Sequence, residues 1–226
     1  MSKLTMTRRA FVAAGSLLLA GCGAKEEPAQ TQPAEEAAAE QKPAEDAPAA
    51  EATSTGAKRI LVAFYSRADE NYPGEWLEVG HTKVMAGYIA EALGTDTYEI
   101  VPVEPYPEGY DDCCDQALEE QRNDARPAIA EALPDVSAYD VVFIGCPIWW
   151  GDEPMIVRTF LDGVDLSGKT IVPFTTHGGS GLGNVPANLQ AAISGAQFLD
   201  GLAVTGTSVD DSHDEVVNWA TGLMSA

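Results

Sequence analysis

From Arg59 onward, short unbroken apolar runs alternate with stretches in which apolar residues return every three or four positions. Arg59–Tyr65 is continuous and rich in β-formers, the pattern of a strand buried on both faces of a parallel sheet. A helix follows, because Thr82 can cap a segment in which Val84, Met85, Tyr88, Ile89, Ala92 and Leu93 share one face, and Gly94 stops it. Thr97–Val103 predicts a second strand, ended by the prolines from Pro102 to Pro107, and Asp111–Asp124 an acidic helix. Tyr139–Gly145 predicts the third strand, and Pro154 opens a helix through Val157, Phe160 and Leu161 toward Gly163. Lys169–Phe174 reads as the fourth strand and Pro186–Ile193 as a short helix. Gln197–Val204 reads as the fifth strand, with a bulge at Asp200-Gly201. Ser212 and Glu215 have capping-box spacing before a last helix that carries Val216, Val217, Trp219, Ala220 and Leu223. Five strands alternating with helices predict an α/β fold, a doubly wound five-stranded parallel sheet in a single domain from residue 58 to 226. Ligands of such sheets sit beyond the carboxyl ends of the strands, where the strand order reverses.

Before Lys58 the pattern changes. The apolar run Phe11–Ala20 is too short to cross a hydrocarbon core of about 30 Å as a helix, so it reads as a signal peptide. Arg8-Arg9 with Phe11 resembles the signal of the twin-arginine export route, and Leu19-Ala20-Gly21-Cys22 resembles a bacterial lipobox. That resemblance implies that residues 1–21 are removed and that Cys22 carries a diacylglycerol. The alternative is an ordinary secretory signal with a chance cysteine. Residues 22–57 are mainly Ala, Glu, Pro and Gln without an aromatic residue, so they cannot offset their ordering entropy and are expected to form a disordered tether of roughly 30–40 Å. The expected location is the outer side of the cell membrane, held by the lipid.

Charge narrows the list of partners. The chain's formal charge is −22, and from Lys58 onward eight Lys and Arg face 27 Asp and Glu, a formal −19. Nucleic acid is not an expected partner, since phosphate binding needs a cationic surplus. The acidic excess suits either attraction of a basic partner or simple solubility. Of the four cysteines, Cys113-Cys114 could form a strained vicinal disulfide or remain two half-buried thiols, and Cys146 reads as a small core residue. Their spacing implies no metal site.

Unusual residues collect in the loops after the first, third and fourth strands. Ser66 follows the first, and the next helix is entered through Gly80-His81-Thr82-Lys83; hydroxyls beside free helix N–H groups make a phosphate site without basic side chains. After the third comes Cys146-Pro147-Ile148-Trp149-Trp150-Gly151, whose paired indoles can wall a flat aromatic ligand. After the fourth comes Thr175-Thr176-His177-Gly178-Gly179-Ser180-Gly181-Leu182-Gly183, where glycines let backbone approach a ligand edge. Taken singly, these could be a strand-end hydroxyl, core-covering indoles and a flexible loop.

Together the three loops resemble those of the flavodoxin family over nearly all of residues 58–226. The resemblance implies a flavodoxin-like domain binding flavin mononucleotide (FMN). Ser66, His81 and Thr82 would hold the phosphate, Pro147, Ile148, Trp149, Trp150 and Gly151 would contact the isoalloxazine, and Thr176, Gly178, Gly179, Ser180 and Gly181 would line its other edge; His177 could donate to the ring. One departure is an insert, Arg67–Val79, between Ser66 and Gly80, which with Tyr72 and Trp76 could fold over the flavin or onto a partner. The expected function is electron transfer with a basic redox protein. The alternatives are an FMN-dependent NAD(P)H or quinone oxidoreductase on the same fold, and an anchored binding protein without flavin.

Overall fold

The computed structural model describes residues 58–225; the leader, Cys22 and the tether lie outside the described residues. The first apolar run forms β1 (Ile60–Phe64), and its alternate side chains feed two separate cores. Leu61 and Ala63 face one side of the sheet, Val62 and Phe64 the other, and all four are buried. The insert folds into an antiparallel hairpin of β2 (Asp69–Asn71) and β3 (Glu75–Leu77). Then follow α1 (His81–Leu93), β4 (Asp96–Glu99), α2 (Tyr110–Arg122), β5 (Val141–Pro147) and α3 (Met155–Gly163). The chain continues through β6 (Thr170–His177), α4 (Val185–Ala192), β7 (Gln197–Phe198), β8 (Leu202–Thr205) and α5 (His213–Ser225).

The main sheet is parallel throughout, in the order β4-β1-β5-β6 with β7 and β8 both on the far edge of β6. From β1 the chain moves outward to β4 and then returns to β5 on the opposite side of β1, so the order reverses between β1 and β5. A doubly wound sheet leaves a crevice at that point, because the flanking helices depart to opposite faces. One face carries α1 packed against α5, over Val62, Phe143, Val172 and Phe174; the other buries Ile144, Ile156, Phe160 and Leu189. No helix among the described residues is long and apolar enough to cross a membrane.

Several predicted boundaries shift for physical reasons. The second strand ends at Glu99, well short of Val103, because Pro102 instead forms an isolated bridge with Ile129. The fourth runs on to His177, since Thr176 still pairs with Pro147 and with Val204. The fifth is divided rather than bulged, and the cause lies on its neighbour. The Leu199 N–H donates to Ile171 of β6, and two residues further along that edge comes Pro173, which has no N–H to offer. A Cβ on Gly201 would fall 2.6 Å from the Pro173 carbonyl oxygen, so only glycine passes there. Two predicted caps do not form. The α1 cap position is Gly80, with no side-chain cap, and Thr82 lies inside the helix. The Ser212 hydroxyl donates to the Ser208 carbonyl instead of capping α5.

Candidate functional site

At the carboxyl ends of β1, β5 and β6 lies a cleft of about 840 Å³. Its first end is the start of α1. With no side-chain cap, the N–H groups of His81 and Thr82 have no partner within the helix, and this is the positive end of its dipole. Ser66 Oγ accepts the Lys83 N–H at 3.0 Å, fixing the hydroxyl beside them. Gly80 has no room for a side chain: a Cβ would sit 2.3 Å from both Ser66 Oγ and the Arg67 carbonyl oxygen. Thr82 is buried, and its hydroxyl shares a 2.7 Å hydrogen bond with that of Thr176 at the end of β6. His81 packs where a Cβ on Gly206 would meet its Nδ1 at 2.5 Å, with Glu75 3.7 Å from Nε2.

The two adjacent indoles behave differently. Trp149 is half-buried and meets Tyr65 and Tyr106 edge-on, with centroids 5.5 and 4.9 Å away. Trp150 is 55% exposed. Mutual N–H donation between Trp149 and Asp152 closes a tight turn with Trp150 and Gly151 at its tip, at φ 52° and 88°. Those angles suit a type I′ turn, and for a bulky residue such as Trp150 the left-handed region is strained. The turn is held from outside: Trp150 Nε1 donates to the Cys114 carbonyl at 2.9 Å, and Asp152 accepts from Gln121 at 2.7 Å and Asn184 at 2.8 Å. The Asn184 N–H also donates to the Gly151 carbonyl, joining this loop to the one after β6.

In that third loop the Thr175 hydroxyl donates to the Gly181 carbonyl, and His177 Nδ1 accepts the Gly179 N–H at 2.8 Å. Burial holds the His177 pKa below its ordinary value, so this acceptor nitrogen stays unprotonated in neutral solution. The remaining hydrogen-bond donor of the ring is Nε2.

Of the site residues expected from the sequence, His81, Pro147, Ile148, Trp149 and Trp150 line the cleft, as do Thr176, Gly178 and Ser180. Ser66, Thr82, Gly151, Gly179 and Gly181 are not among the residues that line it. Sequence reasoning missed the Tyr110–Asp115 face of α2 and the Thr205–Thr207 turn, which also line it. The hydroxyls and glycine after the fifth strand were a usable signal for the turn; Tyr110 carried none, because its role depends on the hairpin. Burial, followed by the neighbouring Cys114 thiol, pushes the Tyr110 hydroxyl up to about 12. Among the described residues Cys113, Cys114 and Cys146 are free thiols, Cys113 pushed up to about 11 by burial and Cys146 well above its usual range for the same reason.

The cations near the cleft are already engaged. Arg67 is buried, and its guanidinium donates to the carbonyls of Glu70, Pro107 and Glu108. Lys83 pairs with Glu99 at 2.6 Å. Arg158 pairs with buried Glu153 at 2.7 Å and also reaches Asp152.

A parallel sheet of this order, with a cleft at its switch point bounded by an uncapped helix start and by aromatic loops, defines a doubly wound α/β protein with a ligand cleft. The family model described as Flavodoxin matches residues 60–222, and the chain belongs to that family. Among solved structures it is similar to a chain assigned as a flavoprotein from Bacteroides eggerthii DSM 20697, at 32% identity and a TM-score of 0.56, over 70% of this chain and 98% of the other. A chain so assigned from Bacteroides uniformis ATCC 8492 is 30% identical, with a TM-score of 0.59 over 73% and 99%. A flavoprotein from Lactobacillus acidophilus NCFM, in complex with FMN, is 24% identical, with a TM-score of 0.51 over 69% and 98%. No curated protein matches the chain.

Proposed function

We propose that this protein binds FMN in the cleft and transfers electrons to and from a redox protein, outside the cytoplasmic membrane and anchored through Cys22. The observation that carries the reading is one cleft with two unlike ends: uncapped N–H groups at α1 beside a glycine that excludes any Cβ, and aromatic side chains opposite. The donors of His81 and Thr82, with the Ser66 hydroxyl, would hold the phosphate without a cation. Trp149 and Trp150 would bound the ring, and the glycine loop after β6 would approach its polar edge. FMN supplies the electron chemistry when bound; the chain binds it, orients it and sets its electrical surroundings. A formal −19 over residues 58–226 opposes added negative charge on the ring, which lowers its tendency to take up electrons.

Two observations favour a protein partner over a nicotinamide. Dinucleotide phosphates call for free Arg or Lys, whereas Arg67, Lys83 and Arg158 are all committed to carbonyls or carboxylates. Asp111 and Asp115 add negative charge to the lining, which attracts a basic surface and repels an anionic substrate.

The purified protein should be yellow, with FMN released on denaturation. Electron exchange with a cationic redox protein should slow as ionic strength rises. A colourless protein that takes up no FMN at micromolar concentration sinks the cofactor assignment. Rapid turnover of NADH or NADPH with a quinone acceptor, or exchange indifferent to salt, replaces the carrier with an oxidoreductase. Cys22→Ala should move the protein from the membrane fraction to the soluble one; a variant still bound after a salt wash has another anchor.

A further inference from the structure

The insert Arg67–Val79 is mounted too firmly to be a loose loop. Arg67 reaches back under it, and its guanidinium donates to one carbonyl within the hairpin, Glu70, and to two before α2, Pro107 and Glu108. The Glu70 carboxylate accepts the first N–H of α2, from Tyr110, at 3.0 Å, while the Glu70 N–H donates to Glu108. Asn71 Nδ2 donates to the Ala68 carbonyl at 2.9 Å and braces the turn from inside. Arg67 Nε has no partner among the described residues, so the Nη1 and Nη2 bonds alone offset the burial of the guanidinium, and detaching the hairpin would leave it still less compensated. The hairpin is part of the frame.

At its tip stands Tyr72. The ring is 57% exposed, yet it lines the cleft, with the Tyr110 ring 6.4 Å away on one side. On the other side it lies against the loop after β6, so close that a Cβ on Gly178 would fall 2.8 Å from Tyr72 Cδ1. Tyr72 therefore spans from α2 to the glycine loop and covers that side of the cleft. A large aromatic left more than half exposed on a rigid mount is poor use of apolar surface for folding alone. It becomes useful when a flat ligand covers it.

We propose that Tyr72 is a fixed wall of the flavin ring site, contributed by the hairpin, and that it sets how much of the isoalloxazine a reaction partner can touch. The inference rests on FMN being the cofactor. It assigns the hairpin a ligand-binding role, with Tyr72 acting on the ring and not on the phosphate.

The test compares Tyr72→Ala with Tyr72→Phe and with Trp76→Ala, which removes an equally exposed aromatic that lies on the same hairpin but does not line the cleft. The measurements are the release rates and affinities of FMN and riboflavin, and quenching of bound-flavin fluorescence by acrylamide. Tyr72→Ala should release both flavins about tenfold faster, the scale of one aromatic stacking contact, and should admit the quencher, while the other two variants behave as wild type. Unchanged release and quenching in Tyr72→Ala overturns the proposal, as does an equal change in Trp76→Ala or a loss confined to FMN. A wild-type protein that binds neither flavin sinks the cofactor assignment and this inference with it.

Discussion

At the α1 end of the cleft the chain presents main-chain N–H groups and hydroxyls around Gly80, in a space too tight for a Cβ. At the α2 end it presents Tyr72, Tyr110 and Trp150, and two of those three rings are more than half exposed. The first end is finished before any ligand arrives: its groups are positioned by helix geometry and by a buried Thr82–Thr176 hydrogen bond. The second leaves apolar surface uncovered and holds Trp150 in a strained backbone region. The contrast shows that one cleft can join an end built rigidly in advance to an end whose apolar surface is left uncovered.

The largest expected effect falls where the aromatic end is itself structural. Trp149→Ala should destabilise the domain by about 3 kcal/mol through lost contact with Tyr65 and Tyr106, whereas Trp150→Ala should cost no more than about 1 kcal/mol, the worth of its one hydrogen bond to Cys114, and act on flavin binding. Urea denaturation of both variants separates them, and equal losses would mean that the two indoles share one role. At the opposite end, Gly80→Ala forces a Cβ into the Ser66–Arg67 contact. FMN affinity by calorimetry should fall about 100-fold, the upper range for an overpacked site; near-normal affinity would place the phosphate elsewhere.

Thr82→Val sharpens the contrast further. It leaves the Thr176 hydroxyl without its partner and should cost about 1–3 kcal/mol of stability. FMN affinity should drop by more than riboflavin affinity, and equal losses would remove Thr82 from the phosphate. The smallest effect concerns pH. Burial holds the folded pKa of His177 below 6.5, so protonation favours the unfolded chain. Its contribution to stability is complete above about pH 6.5 and shrinks as pH falls toward the folded value. His177→Gln should therefore lose less melting temperature than wild type between pH 7.5 and pH 5; identical slopes would mean that His177 plays no part.

The sheet was legible in the sequence because strands buried on both faces need unbroken apolar runs, and Arg59–Tyr65 and Tyr139–Gly145 supply them. The three loops were legible because glycine, hydroxyl and indole residues there are poor material for packing. What escaped depends on contacts between distant segments. The division of the fifth strand is dictated by Pro173 on its neighbour, not by its own residues. The fates of Trp149 and Trp150 diverge because Tyr65 and Tyr106 reach only the first. Thr82 and Ser212 had the residue type of caps, but the hydroxyl of each found another partner, Thr176 and the Ser208 carbonyl. Tyr110 joined the cleft only because the insert became a hairpin that docks on the start of α2.

The mount of that hairpin has a consequence for protein engineering. Arg67 grips it through main-chain carbonyls, at Glu70, Pro107 and Glu108. Carbonyl oxygens are present whatever the side chain, so this grip does not read residue identity. The tip residues Tyr72 and Pro73 can be rewritten while the anchorage stays as it is, whereas Gly74, at φ 99°, is held to glycine. The hairpin is thus an exchangeable cartridge: libraries confined to those two positions could screen new neighbours for a bound cofactor, on a scaffold whose sheet, helices and α1 end of the cleft need not change.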